Sequence, residues 1–339
     1  MSKEFCISVP CCLYSVSSRG NCRGQVLQWS ESLECSRVFT SHITLKTPPH
    51  FSFWRTVYSH GWCALAPFRV NKESQTFSRL LALRDGSLAS CTLSDDAEAV
   101  SVNIQREKNL SLADKSEIRS QLSECFRMEE DLSEFYREAK LHPHYRWIPA
   151  AGAGRMLRAP TVFEDIVKMI CTTNCSWSLT EVMIENLTVL VGKKFGDGVS
   201  SFPTADAIAG LTESFVRKQI RAGYRSPYLI ELAERVAGGK LDIESWRTSE
   251  LPTDELFKQV QSVKGVGEYA AGNLLKLLGR YDYLALDSWV RARFFELHKK
   301  GRHVSDRTIE KHYAQFGKWR GLFFWLEMTR HWLDHKFPF

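Results

Sequence analysis

Apolar residues in the first third of the chain come in short runs. HITLKT, GWCALAPFRV, TFSRLLALRDG, SLASCTL and AVSVNIQ lie between Arg37 and about Asn109, rich in β-branched or aromatic residues and cut by Pro, Gly and Asp. Runs of this kind predict strands of an antiparallel sheet, and Arg84-Asp85-Gly86-Ser87 has the makings of a hairpin turn. From Asp114 onward the spacing changes to that of helices. The predicted helices are 114–127, 130–140, 161–172, 178–192, 204–209, 212–220, 225–238, 253–262, 268–279, 288–299, 305–315 and 321–332. Ser116, Thr161, Thr204 and Thr253 stand where N-caps are expected. In 161–172, Val162, Ile166, Val167 and Ile170 share one face. Residues 1–35, rich in Ser, Cys and Gly, read as a poorly ordered or short-hairpin extension. The pattern therefore divides into that extension, a β-rich lobe over 36–113 and a helical region over 114–339. The fold class is α+β, mostly α, with a small antiparallel lobe preceding an all-helical core.

At 339 residues the chain exceeds one ordinary hydrophobic core, so two or three subdomains are expected. The formal charge of +6 is only mildly basic, and its distribution says more. Arg291, Arg293, Lys299, Lys300, Arg302, Arg307, Lys311, Lys318 and Arg320 face only Glu296, Asp306 and Glu310 across residues 291–320. Such a run is either a solvated face or a surface for a nucleic-acid backbone. No stretch approaches the 18 apolar residues of a membrane span, and MSKEFCISVPCCLYS lacks a continuous apolar signal segment. The ten cysteines are then expected as reduced thiols of an intracellular protein. Cys6, Cys11, Cys12, Cys22 and Cys35 have no C-x-x-C spacing, which counts against a zinc site there.

Candidate chemistry concentrates in VKGVGEYAAGNLLKLLGRYDYLALD, residues 263–287. Gly265 and Gly267 can take backbone angles closed to other residues, so the chain can reverse and bring N–H groups close to a ligand. The following helix, with Ala270, Leu274, Leu277 and Leu278 at helical spacing, offers its N-terminal amides to a phosphate. An isolated carboxylate, Asp287, closes the segment. Two readings stand at this point. The unit binds DNA with Asp287 as a catalytic group, or it is a Gly turn between packed helices with Asp287 as an N-cap.

This unit resembles the helix-hairpin-helix plus Asp signature of the HhH-GPD superfamily of DNA base-excision glycosylases. Three further segments carry the resemblance, which spans about residues 40–330: FRMEEDLSEFYREAK, RMLRAPTVFEDIVKMICTTNCSW and IRAGYRSPYLIELA. Together they are closest to the branch containing the 3-methyladenine and 8-oxoguanine glycosylases. The resemblance implies a helix-hairpin-helix glycosylase core in which Asp287 stabilises an oxocarbenium-like transition state and orients or deprotonates the attacking water. It implies that Asn174 fills the gap left by a flipped base, with Tyr224 as the wedge and Arg225 beside it. The amides of Gly265, Gly267 and Tyr269 would meet a phosphate, with Lys264, which replaces the family's hairpin Pro, reaching the backbone. The carbonyls of Gln261, Val263 and Val266 would hold a structural monovalent cation, K+ or Na+. No cofactor is required, and an iron–sulfur cluster is excluded because the last cysteine is Cys175. The implied partner is double-stranded DNA carrying a damaged base. The protein is expected to be a monomer with no membrane role, located with the DNA in the bacterial cytoplasm and nucleoid or in a nucleus.

Bifunctional relatives have a Schiff-base lysine where this chain has Tyr269, and a phenol cannot take that part. A monofunctional hydrolase is therefore expected, with Tyr269 and Trp289 in the base pocket; packing against the next helix is the alternative for Tyr269. Trp54, Trp62, Trp147 and Trp177 are further candidate pocket aromatics. The 8-oxoguanine enzymes read the opposite cytosine with an Arg where Leu179 stands here. Those two departures favour an alkylated purine of the 3-methyladenine type, already cationic and a ready leaving group. Uracil, mismatched thymine and 8-oxoguanine remain alternative substrates, and a non-catalytic DNA-binding hairpin is the alternative function.

Overall fold

The computed structural model describes residues 38–338 apart from 97, 98, 197, 335 and 336. The 1–35 extension and its five cysteines lie outside the described residues. The fold is α+β and mostly α. Strands β1 (Phe39–Lys46), β2 (Arg69–Asn71), β3 (Thr76–Ala82), β4 (Leu88–Asp96) and β5 (Ala99–Arg106) form one antiparallel sheet in the order β1-β5-β4-β3-β2. Alternation fixes its register: Ile43 pairs with Val102, Val102 with Leu93 and Ile104 with Cys91, and all five are buried on one face. Phe77 of β3 belongs to the same face, and Phe53 and Phe126 pack on it with their rings stacked at 5.3 Å. The 84–87 turn joins β3 to β4, with Gly86 at φ 76° and Asp85 accepting from the Ser87 amide.

Among the described residues ten helices of eight or more residues follow: α1 (Leu112–Phe126), α2 (Ser133–Leu141), α3 (Val162–Thr172), α4 (Trp177–Val191), α5 (Ser226–Ala237), α6 (Thr253–Gln261), α7 (Glu268–Leu277), α8 (Ser288–Lys299), α9 (Asp306–Tyr313) and α10 (Arg320–Thr329). The central helix is α3, buried along most of its length. A charged lock ties it to the sheet. Arg79 of β3 makes a two-pronged ion pair with Glu164, which also takes Lys168 at 2.8 Å, and all three are buried. Burial alone would raise the Glu164 pKa, but the two cations outweigh it and hold the carboxyl below its ordinary value. Both cations also lie over the Phe68 ring, which replaces part of the lost hydration.

Local differences from the expected elements have visible causes. GWCALAPFRV does not run as one strand: Gly61–Ala64 is a 3-10 turn and only Arg69–Asn71 joins the sheet. The buried Trp62 indole there donates to Asp165 at 2.8 Å, a tertiary bond that a strand would not serve. Phe53–Val57 is a short helix inside the β-rich region. Ser111, rather than Ser116, caps α1 through a capping box with Asp114. Thr253 is the first residue of α6 rather than its cap, and its hydroxyl bonds Asp282. Thr161 and Thr204 do cap their helices.

Candidate active site and nucleic-acid groove

The hairpin between α6 and α7 turns at Gly265, whose φ of 88° lies in the left-handed region. A Cβ there would stand 2.6 Å from Cδ2 of Tyr228, so the position is closed to side chains on two counts. Val266 donates its amide to the Val263 carbonyl at 3.0 Å, closing the turn. Gly267 then precedes α7 with an ordinary φ of −82° and open space where a Cβ would be. No side chain caps α7, so its first amides are presented to the surface.

Asp287 ends the loop that leaves α7, and close packing holds that loop on both sides. A Cβ on Gly272 would lie 2.9 Å from the Ala285 Cβ, and one on Gly321 would lie 2.1 Å from the Tyr283 carbonyl oxygen. Gly321 donates its amide to the Tyr281 carbonyl, Arg320 bonds the Asp282 carbonyl, and buried Lys276 donates to the Leu284 carbonyl at 2.7 Å. Asp287 itself caps α8, one carboxylate oxygen accepting from the Val290 amide at 2.8 Å. Capping and chemistry are thus compatible, because a carboxylate has a second oxygen to offer. Burial, with the Asp287 carboxylate next to it, keeps the Tyr269 phenol well above its ordinary pKa. The phenol remains protonated and can serve as a donor.

A cavity of about 450 Å³ opens beside these groups. Tyr269, Asp287, Trp289, Trp62 and Trp177 line it, as do His60, Asn273, Trp325 and Trp332. Trp54 stacks on Tyr58, and Trp147 lies under Arg330; neither lines the cavity. Trp325 and Trp332, which the sequence reading missed, sit in or just after α10, where an aromatic-rich segment reads as core. The Trp177 indole lies against Gly61, where a Cβ would meet it at 2.3 Å. Burial pulls His60 down to about 4, so its ring is neutral at neutral pH, with one nitrogen 2.6 Å from the Leu157 carbonyl. Asp287 is the only carboxylate lining the cavity, and no Lys or Arg joins it there, among the described residues.

A surface groove meets this cavity. Asn174, Tyr224, Tyr228, Gln261, Val263, Lys264, Gly265, Val266 and Gly267 line it, and Thr172, Cys175, Tyr269 and Asp287 belong to both spaces. Exposed Asn174, at a left-handed φ of 48°, reaches the hydroxyl of the half-exposed Tyr224 at 3.4 Å. The hairpin residues, Asn174 and Tyr224, and the Asp287 carboxylate therefore share one mouth.

Three sequence expectations fare differently. Arg225 is buried, bonds the Thr173 carbonyl and stacks on the Tyr224 ring at 4.5 Å, so it supports the Tyr224 loop from behind rather than lining the groove. Lys264 reaches the groove but pairs with Glu231 at 3.1 Å. None of the basic residues of 291–320 lines the groove; Arg291 is held by Asp306, Arg293 by Glu296 and Lys318 by Glu134.

No family model matches the chain. A Methanothermobacter thermautotrophicus protein named "Probable N-glycosylase/DNA lyase" is 23% identical over 215 residues, covering 57% of this chain and 67% of the relative. The solved 3-methyladenine DNA glycosylase of Archaeoglobus fulgidus superposes with a TM-score of 0.69 at 19% identity, over 86% of this chain and 99% of that one. The apo 8-oxoguanine glycosylase/lyase of Clostridium acetobutylicum superposes with a TM-score of 0.66 at 20% identity, over 86% and 98%. The chain shares the fold of these two DNA glycosylases.

Proposed function

We propose that the protein is a monofunctional DNA glycosylase that flips a cationic, N-alkylated purine of the 3-methyladenine type into the aromatic cavity and hydrolyses its N-glycosidic bond. The observation that carries this reading is Asp287 at the junction of the groove and the cavity, the only carboxylate lining the cavity among the described residues. A cavity lined by indoles, a neutral His60 and one carboxylate favours a positively charged base over a neutral one, by cation–π attraction and by charge.

In the proposed reaction the groove seats the phosphates on the hairpin amides, and Tyr224 and Asn174 occupy the space the base vacates. The C1′–N bond breaks with its electron pair going to the base. A cationic purine leaves neutral and needs no general acid. Asp287 stabilises the positive charge at C1′ while water attacks that carbon and gives up a proton, first to Asp287 or to solvent. Tyr269, protonated beside Asp287, holds the carboxylate and meets the incoming sugar or base. Gln261, Val263 and Val266 all reach the groove, in keeping with a K+ or Na+ ion held by their carbonyls near a phosphate.

Absence of lyase chemistry is part of the proposal. Among the nearby amines, Lys264 is paired with Glu231, and Lys276 is buried without lining the cavity. Burial brings Lys276 down to about 7, but its ammonium is directed to the Leu284 carbonyl and to Asn273. A panel of duplexes, each with one lesion, tests the whole reading. Abasic sites should form at 3-methyladenine or 7-methylguanine, strands should stay intact until alkali, and borohydride should trap no adduct. Release of 8-oxoguanine in preference to alkylated purines would overturn the substrate, and an efficient trapped adduct would overturn the monofunctional assignment.

A further inference from the structure

We propose that His298, His312 and Glu327, joined by His144, form a site for one divalent transition-metal ion, zinc by the chemistry of its donors, that fastens the C-terminal end of α8 to α9 and α10. The four come from separate elements: His298 from α8, His312 from α9, Glu327 from α10, and His144 from the Pro143–Tyr145 turn after α2. Donor atoms of His298, His312 and Glu327 all lie within 4.8 Å of one another. His144 and His298 stand 3.0 Å and 3.1 Å from the same Glu327 oxygen, Oε1. Adjacent ligands of a tetrahedral zinc ion, at ~2.0–2.2 Å from the metal, are separated by about 3.4 Å. His298, His312 and Glu327 are therefore gathered before any ion enters, their two imidazole rings 4.4 Å apart, and His144 approaches from the Glu327 side.

The second oxygen of Glu327 is committed elsewhere. Tyr145 and Tyr313 both donate to Oε2, at 2.5 Å and 2.7 Å, which fixes the carboxylate plane and leaves Oε1 for the imidazoles. Phenols holding one oxygen while the other meets histidines is the outer-shell pattern of a metal carboxylate. His298 Nε2 is buried and lies 3.1 Å from Oε1 without an aligned hydrogen bond, so its lone pair or proton faces the centre of the cluster rather than a well-formed partner. A cavity of about 640 Å³ gives access, and its two arginines are drawn aside, Arg293 to Glu296 and Arg330 over Trp147. Imidazole nitrogens with a single carboxylate suit zinc among the common divalent ions, and exclude calcium and magnesium, which take oxygen.

The position matters for the fold. Asp287 caps one end of α8 and His298 lies near the other. A bound ion would restrain the helix whose first turn holds the proposed catalytic carboxylate.

The test uses the full chain, stripped with EDTA and titrated with Co2+ and Zn2+. One Co2+ should bind with visible ligand-field bands of nitrogen and oxygen donors and without the near-ultraviolet thiolate band that the cysteines would give. Zn2+ should displace it and raise the melting temperature. His298→Ala and His312→Gln should abolish both effects, each variant melting at the same temperature with and without Zn2+. Tyr313→Phe should weaken binding by about ten- to a hundredfold through the outer shell. His142→Ala, in the same cavity but paired with Glu138, should change nothing. Absence of binding, a thiolate spectrum, or binding that survives the His298→Ala/His312→Gln double variant would each overturn the site. Lesion excision is a separate measurement, so failure here leaves the glycosylase reading standing, and the reverse.

Discussion

Asp287→Asn is the most direct perturbation of the proposed chemistry, because it keeps the capping oxygen that the structure shows and removes only the charge. One oxygen caps α8 through the Val290 amide, and an asparagine oxygen can take the same hydrogen bond. What is lost is the charge. A carboxylate about 4 Å from a developing cation, at an effective dielectric of about 20, contributes about 4 kcal/mol. That corresponds to roughly a thousandfold in rate. Single-turnover formation of abasic sites on an alkylated duplex should therefore fall by about three powers of ten, with duplex affinity and melting temperature close to wild type. Asp287→Ala should lose the rate and, in addition, about 1 kcal/mol of stability from the missing cap. If Asp287→Asn excises within tenfold of wild type, Asp287 is a cap and not the catalytic group. If it loses rate only as far as it loses DNA affinity, the carboxylate acts in binding and the electrostatic argument fails.

The two hairpin glycines should differ in stability while both lose affinity. Gly265→Ala adds left-handed strain of about 1–2 kcal/mol and drives a methyl into Tyr228, so it should lower the melting temperature as well as duplex affinity. Gly267→Asp meets open space and can even cap α7, so stability should hold while affinity collapses; unchanged affinity would remove the hairpin from the DNA contact. Tyr224→Ala should weaken binding to lesion and abasic duplexes by about 1–3 kcal/mol and leave single strands little affected; equal losses on both would mean damage to the loop that Arg225 supports. His60 supplies the pH dependence. Its folded pKa of about 4 lies below the ordinary 6.5, so the unfolded chain takes up the proton first on acidification. Stability is full above 6.5 and is lost as pH falls from 6.5 towards 4, up to about 3 kcal/mol from this residue. His60→Gln should flatten that part of a denaturation-against-pH curve, and parallel curves for the two proteins would refute the assignment.

The helices were legible because their signals are local. Caps such as Thr161 and the apolar face of Val162, Ile166, Val167 and Ile170 are written in neighbouring residues, and α3 begins where they place it. The hairpin, Gly265, Gly267 and Asp287 were legible for the same reason. What was hidden depends on residues far apart in the chain. Trp62 leaves its expected strand for a bond to Asp165, and Arg79 enters the core to meet Glu164 and Lys168 of α3. Arg225 reads like a DNA contact in a Gly-Tyr-Arg loop, yet the Thr173 carbonyl and the Tyr224 ring claim its guanidinium. The basic run of 291–320 reads like a phosphate surface until Asp306, Glu296 and Glu134 are brought beside it. Net charge by sequence window cannot anticipate that pairing.

The same distinction bears on how the site was assembled. Lys276 lies two turns beyond Tyr269 on α7, where sequence alone gives it no reason to matter. In the fold its buried ammonium grips the Leu284 carbonyl inside the loop that Gly272 and Gly321 let close against two helices. An amine with its pKa drawn down to about 7 is chemically fit to be a nucleophile, but this one is held by the Leu284 carbonyl and by Asn273 and does not itself line the cavity. Tyr269 occupies the position from which a side chain does face Asp287, and it carries no amine. Among the described residues the cavity is left with one carboxylate, no side chain of Lys or Arg, and walls rich in indole. On the proposed reading that balance, more than any single contact, makes a base that brings its own positive charge the better fit than one that must be read by hydrogen bonds.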